Sequence, residues 1–248
     1  MSFFDSLPTD SRAVVIGASG GLGAAFTRQL AAHPAVKTVL ALSRSGRHPD
    51  DAGVIGDRID ITDEASVAAA ADAATADGPL DLVIVATGIL HDGDAIGPEK
   101  RMRDIDPAVM RRVFEVNAIG PALVAKHFLP ALRPKSPTVF AALSARVGSI
   151  TDNRLGGWAS YRASKAALNM LLKTLAIEHA RTRPDSAVVA LHPGTVDTDL
   201  SRPFKTKVPE DKLFTPEFAA GRLLEVVDGV TGDDSGGFFA WDGARIDY

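Results

Sequence analysis

The chain has 248 residues, 46% hydrophobic and 23% charged, a composition that supports a substantial buried core. Its 27 basic and 31 acidic residues leave a formal net charge of -4 with no dense basic stripe, which argues against a nucleic-acid partner. The absence of cysteine excludes disulfides and thiolate metal sites, and no run approaches the roughly 20 apolar residues that span a bilayer.

In chain order, the first residues, MSFFDSLPTDSR, lack the basic start and apolar run of a secretory signal. A soluble, cytoplasmic protein without a membrane partner is expected. Strands are predicted at 12–16, 37–42, 80–86, 138–143 and 187–192, with helices at 21–32, 63–76, 107–132 and 158–181. A helix at 216–227 and a short strand at 237–241 follow. Such alternation implies right-handed βαβ crossovers. The expected fold is α/β: a single Rossmann domain over residues 1–248, with a doubly wound parallel sheet of about seven strands and helices on both faces. Residues 195–215 are polar, contain two prolines and lack sustained periodicity. This segment reads either as a lid over a substrate or as a solvated surface loop.

The first strand leads into Gly17-Ala18-Ser19-Gly20-Gly21-Leu22-Gly23 and then into an alanine-rich helix. Glycine permits positive φ and close backbone approach, and a helix N-terminus attracts a pyrophosphate. The spacing G-x-x-x-G-x-G differs from both G-x-G-x-x-G and the P-loop pattern. By itself it is a tight turn; between a first strand and a first helix it indicates a dinucleotide. After the second strand stand Ser43 and Arg44, with no carboxylate before Asp50. An arginine there accommodates the 2′-phosphate of NADP, whereas NAD sites usually place an acid. NADP(H) is therefore the expected cofactor, with NAD(H) as the alternative and a plain loop cation as the other reading of Arg44.

Tyr161 and Lys165 are four apart and share a helix face. Carbonyl reduction needs a proton donor, and a neighbouring ammonium favours tyrosinate for the reverse reaction. As a spacing alone, Y-x-x-x-K is equally an exposed helix surface. Ser144 closes a predicted strand at the sheet edge where open α/β folds bind ligands, though serines also commonly end strands. Asn117, just before Gly120-Pro121, sits in a predicted helix that this pair can kink, and by itself reads as a satisfied structural amide.

Gly17–Gly23, Asp60, Asn117, Ser144, Tyr161-x-x-x-Lys165 and His192-Pro193-Gly194-Thr195-Val196 occur in the order of the short-chain dehydrogenase/reductase family, which the chain resembles over nearly its whole length. The block SARVGS…GGW-x-SYRASKAALN is similar to the subgroup of C-factor-type signalling proteins and sniffer-like carbonyl reductases. The resemblance implies an NAD(P)-dependent oxidoreductase acting on a small carbonyl or alcohol, assembled as a homodimer or homotetramer through the helices at 107–132 and 158–181. A cofactor-binding signalling or sensor protein is the alternative. By the resemblance, Tyr161 is the acid/base, Lys165 binds the nicotinamide ribose, Ser144 orients the substrate carbonyl, and Asn117 holds a water. Asp60 and Ile61 would meet adenine, Gly88 would pass the adenine ribose, and Val196 and Thr198 would contact the carboxamide and pyrophosphate side. Ser19, Gly20, Leu22 and the Pro193-Gly194 turn complete the expected cofactor contacts. Two departures stand out. The family's Asn-Ala-Gly turn is Ala86-Thr87-Gly88, and Ser144 lies 17 positions before Tyr161, so that Ser149 competes with it. Arg146 and Trp158, in the extra residues, are expected to border the substrate.

Overall fold

Alternating side chains on the strands decide the layering. In β1 (Ser11–Ile16), Val14 and Ile16 join one buried cluster while Ala13 and Val15 join another on the opposite face. The remaining strands are β2 (Val36–Ser43), β3 (Val54–Arg58), β4 (Leu82–Val85), β5 (Thr138–Leu143), β6 (Ser186–His192), β7 (Thr195–Val196), β8 (Leu213–Phe214) and β9 (Phe238–Ala240). Residues 7–93, 96–203, 209 and 212–248 are described in this computed structural model. Seven strands form one parallel sheet in the order β3-β2-β1-β4-β5-β6-β9. The order reverses between β1 and β4, and such a switch point opens a crevice at the carboxyl ends of the strands.

Helices α1 (Gly21–Ala31), α2 (Glu64–Thr75), α3 (Pro107–Phe114), α4 (Gly120–Phe128), α5 (Ala159–Ala180) and α6 (Pro216–Gly229) make up the outer layers. Phe26 and Leu30 of α1 and Leu223 and Val227 of α6 pack on one sheet face. Val67 of α2, Phe128 of α4 and Leu168 and Leu172 of α5 pack on the other. Local signals start several of these helices. Asp63 and Asp106 accept backbone N–H bonds from the first turns of α2 and α3, and Thr215 does so for α6. Pro107 and Pro216 occupy first-turn positions, where the missing N–H costs nothing.

Besides the short strands β7 and β8, two elements differ from the sequence expectation. Strand β3 was not anticipated, because VIGDR is an exposed edge strand without an apolar run. The predicted helix 107–132 is divided into α3, a π-helical turn over Glu115–Ile119, and α4. Pro121 lacks an N–H, so the ladder is interrupted where the turn widens. Glycine suits this point, since a Cβ there would stand 3.0 Å from the backbone Ile61 O as well as 2.8 Å from Ile61 Cδ1.

The segment 195–215 is tied at both ends, for β7 pairs in parallel with β8. Within it, residues 204–208 and 210–211 lie outside the described residues.

Candidate active site

The turn after β1 is built for close approach. Gly17 has φ +95°, and a Cβ on Gly23 would stand 2.1 Å from Gly17 O, so that no other residue fits. Gly17 and Ala18 N–H donate to Leu42 O, fixing the turn to the end of β2. Helix α1 then begins at Gly20 with no side-chain cap and no acid in its first turn. Its leading N–H groups thus face outward with the positive end of the helix dipole. Ser19, Gly20 and Gly21 are exposed and Leu22 is half-buried. Thr198 packs beside this turn, and a Cβ on Gly21 would lie 2.8 Å from its Cγ2.

The other predicted cofactor residues line the same edge. Arg44 is exposed after β2, while Ser43 is buried and donates from Oγ to Arg47 O. Asp60 accepts from Thr62 N–H and Oγ1, which with the fields of Arg44 and Arg112 holds its carboxyl below the usual range. Ile61 is buried under α4. Beyond β4, Ala86 N–H donates to Ile16 O, and Thr87 Oγ1 is buried with no partner. A buried orphan hydroxyl, on a residue whose methyl lies beside Gly17, is the kind of group a ligand satisfies. Val196 is buried in β7. Gly194, at φ +76°, sits against Phe214 and Trp241, next to a half-buried Pro193. The residues present therefore fit a dinucleotide laid along this edge.

Tyr161 and Lys165 lie on the buried face of α5. Lys165 Nζ stands 5.9 Å from the Tyr161 ring centre and donates to Leu143 O at 2.8 Å. Burial pushes the Tyr161 hydroxyl up to about 12 and the Lys165 ammonium down to about 8. In the protein alone, desolvation thus acts against the tyrosinate that Lys165 was expected to favour. Gly88 completes this group, since a Cβ there would lie 3.6 Å from Lys165 Nζ and 3.5 Å from Asn117 Oδ1.

Asn117 sits in the π-helical turn, and its side chain is saturated by protein. Ile89 N–H donates to Oδ1, and Nδ2 donates to Ile89 O and to Ser164 Oγ. The expected water ligand is in its side chain a clamp on the backbone after β4.

Ser144 is hydrogen-bonded within the protein. Buried beyond the end of β5, its hydroxyl donates to Asn169 Oδ1 at 2.6 Å, one helical turn past Lys165. Ala145, in extended backbone, is the half-buried residue that follows it. Strand alternation sends Ser144 toward α5, on the side of Phe140 and Ala142. Ser149, the competing serine, is buried and accepts from Asp152 N–H.

Of the expected substrate residues, Trp158 meets Tyr161 edge-on at 6.4 Å. Arg146 pairs with Asp152 at 3.0 Å, and its field reaches His192. Burial first, and Arg146 second, push His192 down to about 4, and its Nδ1 is buried without a partner.

Glu99 escaped sequence reasoning altogether. Trp158 precedes α5 in a left-handed conformation and supplies no side-chain cap. Instead, the buried Glu99 carboxyl accepts from Ser160 N–H and Oγ, while Glu99 O accepts from Trp158 N–H at 2.6 Å. With Glu99 and Ser160 61 positions apart in sequence, no local signal could find this cap.

The profile of the short chain dehydrogenase family matches residues 11–209. The C-signal protein of Myxococcus xanthus is 37% identical over 172 residues, covering 69% of this chain and 94% of that protein. The 1-hydroxy-2-glutathionyl-2-methyl-3-butene dehydrogenase of Rhodococcus sp. (strain AD45) is 33% identical over 241 residues, covering 96% and 100% respectively. The crystal structure of NADPH-bound carbonyl reductase from chicken fatty liver superposes with a TM-score of 0.84 at 27% identity, over 98% of this chain and 95% of that one. With a switch-point crevice, an uncapped glycine turn and a buried Tyr-Lys pair on one sheet edge, the chain belongs to the short-chain dehydrogenase family of oxidoreductases.

Proposed function

We propose that this protein is an NADP(H)-dependent carbonyl reductase in which Tyr161 transfers the proton. The observation that carries the reading is the juxtaposition of Tyr161, Lys165 and Gly88 at the sheet edge, opposite a glycine turn at the uncapped start of α1. When bound, the cofactor exchanges a hydride with the substrate. The chain's own residues do the rest. The N–H groups at the start of α1 would hold the pyrophosphate, with Thr198 alongside, and Arg44 would meet the 2′-phosphate. Lys165, anchored on Leu143 O, would place its ammonium beside the nicotinamide ribose.

A tyrosine pushed up to about 12 keeps its proton at neutral pH. It therefore holds a proton that it can give to the alkoxide oxygen formed when a carbonyl is reduced. Asn117 holds the backbone of Ile89 against α5 and so sets the position of Lys165 relative to Gly88. The relatives support both parts of the reading, one being a dehydrogenase and another an NADPH-bound carbonyl reductase. A tuned Tyr-Lys pair has no task in a pure sensor.

The test is NADPH consumption, followed by absorbance over a panel of aldehydes, ketones and quinones, in wild type and Tyr161→Phe. Turnover lost in the variant, with NADPH binding retained, is the expected result. Full activity in Tyr161→Phe would sink the mechanism.

A further inference from the structure

We infer that the edge strand β3 supplies a second 2′-phosphate ligand, Arg58, which acts with Arg44 to select NADP(H) over NAD(H). The assignment rests on the NADP(H) reading above and extends it to a residue outside the glycine turn and the β2 terminus.

The geometry begins with register. Arg58, the last residue of β3, pairs opposite Ser43, the last residue of β2. The two strands therefore deliver their final side chains to the same edge. After Ser43 the chain makes a tight turn in which Gly46 N–H donates back to Ser43 O at 3.1 Å. The Arg58 stem folds across that turn. A Cβ on Gly46 would stand 3.3 Å from Arg58 Cγ and 3.8 Å from its Nε. Gly46 has φ +70°, so glycine there serves both the turn and the passage of the arginine. Arg44 occupies the same turn, and Arg47 is tied to it through Ser43 Oγ.

Charge makes the arrangement informative. Arg44, Arg47 and Arg58 form no ion pair with any carboxylate among the described residues. Asp60, which feels the field of Arg44, is occupied by Thr62, and Asp57 Oδ1 accepts the backbone N–H of Arg58. Arginines gathered on one turn repel each other unless an anion arrives, and a phosphate monoester carries roughly -1.5 to -2 at neutral pH. Two guanidinium forks from adjacent strands suit its three acceptor oxygens. A nucleotide with a free 2′-hydroxyl would leave these cations unpaired.

The experiment measures binding of 2′,5′-ADP and of 5′-AMP by titration calorimetry to wild type, Arg44→Ala, Arg58→Ala and Arg58→Lys. These probes differ only in the 2′-phosphate and need no turnover. Arg58→Ala is expected to weaken 2′,5′-ADP about tenfold or more while leaving 5′-AMP within about twofold. Arg58→Lys, which keeps charge but loses the fork, falls between. Unchanged affinity for 2′,5′-ADP in Arg58→Ala overturns the assignment, and so does an equal loss for both probes. A wild type that binds the two probes alike overturns the NADP(H) reading itself and this assignment with it. Far-UV circular dichroism of each variant confirms that the edge strand persists.

Discussion

Ser144 and Tyr161 show how far a residue's neighbours decide its chemistry. Tyr161 is pushed up and Lys165 down by the same burial, leaving a protonated phenol beside an amine that loses its charge near pH 8. Ser144 instead donates a hydrogen bond to Oδ1 of Asn169, whose Nδ2 is buried without a partner. Ser144→Ala therefore removes a buried bond and strands Asn169 Oδ1, which costs about 1–3 kcal/mol of stability. The expected result is a lower Tm, with kcat for a reduced carbonyl falling less than about tenfold. A fall of about a hundredfold or more at unchanged KM would return Ser144 to the substrate oxygen. The tyrosine and lysine could be read from their spacing. Which way Ser144 points could not, because one residue of extended chain reverses the face and the partner is 25 positions away.

Among the elements, α5 carries the site, yet its start is set by a segment far from it in sequence. Trp158 follows Gly156 and Gly157, and all three have positive φ, so the chain turns sharply into the helix. Glu99 then does what a local cap does elsewhere, accepting from Ser160 directly before Tyr161. Glu99→Ala should cost about 0.5–2 kcal/mol, as loss of an N-cap does, whereas Glu99→Gln, which keeps an acceptor oxygen, should cost less. Chemical denaturation of the two variants checks this, and equal losses would show that packing, not capping, explains Glu99. The π-helical turn has the same character. Gly120-Pro121 marked a break in the sequence, but not that the widened turn brings Asn117 to Ile89 and Gly120 past Ile61.

For the whole molecule, surface apolarity is informative where it is ordered. Met170 and Ile177 of α5 are 67% and 54% exposed and lie seven residues apart, on one stripe of the helix. With the assembly implied for this family, that stripe is expected to face a second copy. Sedimentation velocity should give a dimer or larger species for wild type and a smaller one for Met170→Glu. A wild-type monomer at tens of micromolar would overturn the expectation. No described helix is long and apolar enough to cross a membrane.

The division between sequence and structure follows the range of the forces involved. Strand-helix alternation, the glycine turn and the Tyr-Lys spacing are local patterns, and periodicity and steric demand alone made the parallel α/β sheet legible and marked the glycine turn as a candidate dinucleotide site. Residues 54–58 were invisible because an exposed edge strand needs no apolar run; only pairing with β2 makes it a strand and brings Arg58 over Gly46. Glu99 on Ser160, Asn117 on Ile89 and Ser144 on Asn169 join positions 25 to 61 residues apart. Their hydrogen bonds exist only after the core has closed, because it is burial that obliges each polar group to find its partner.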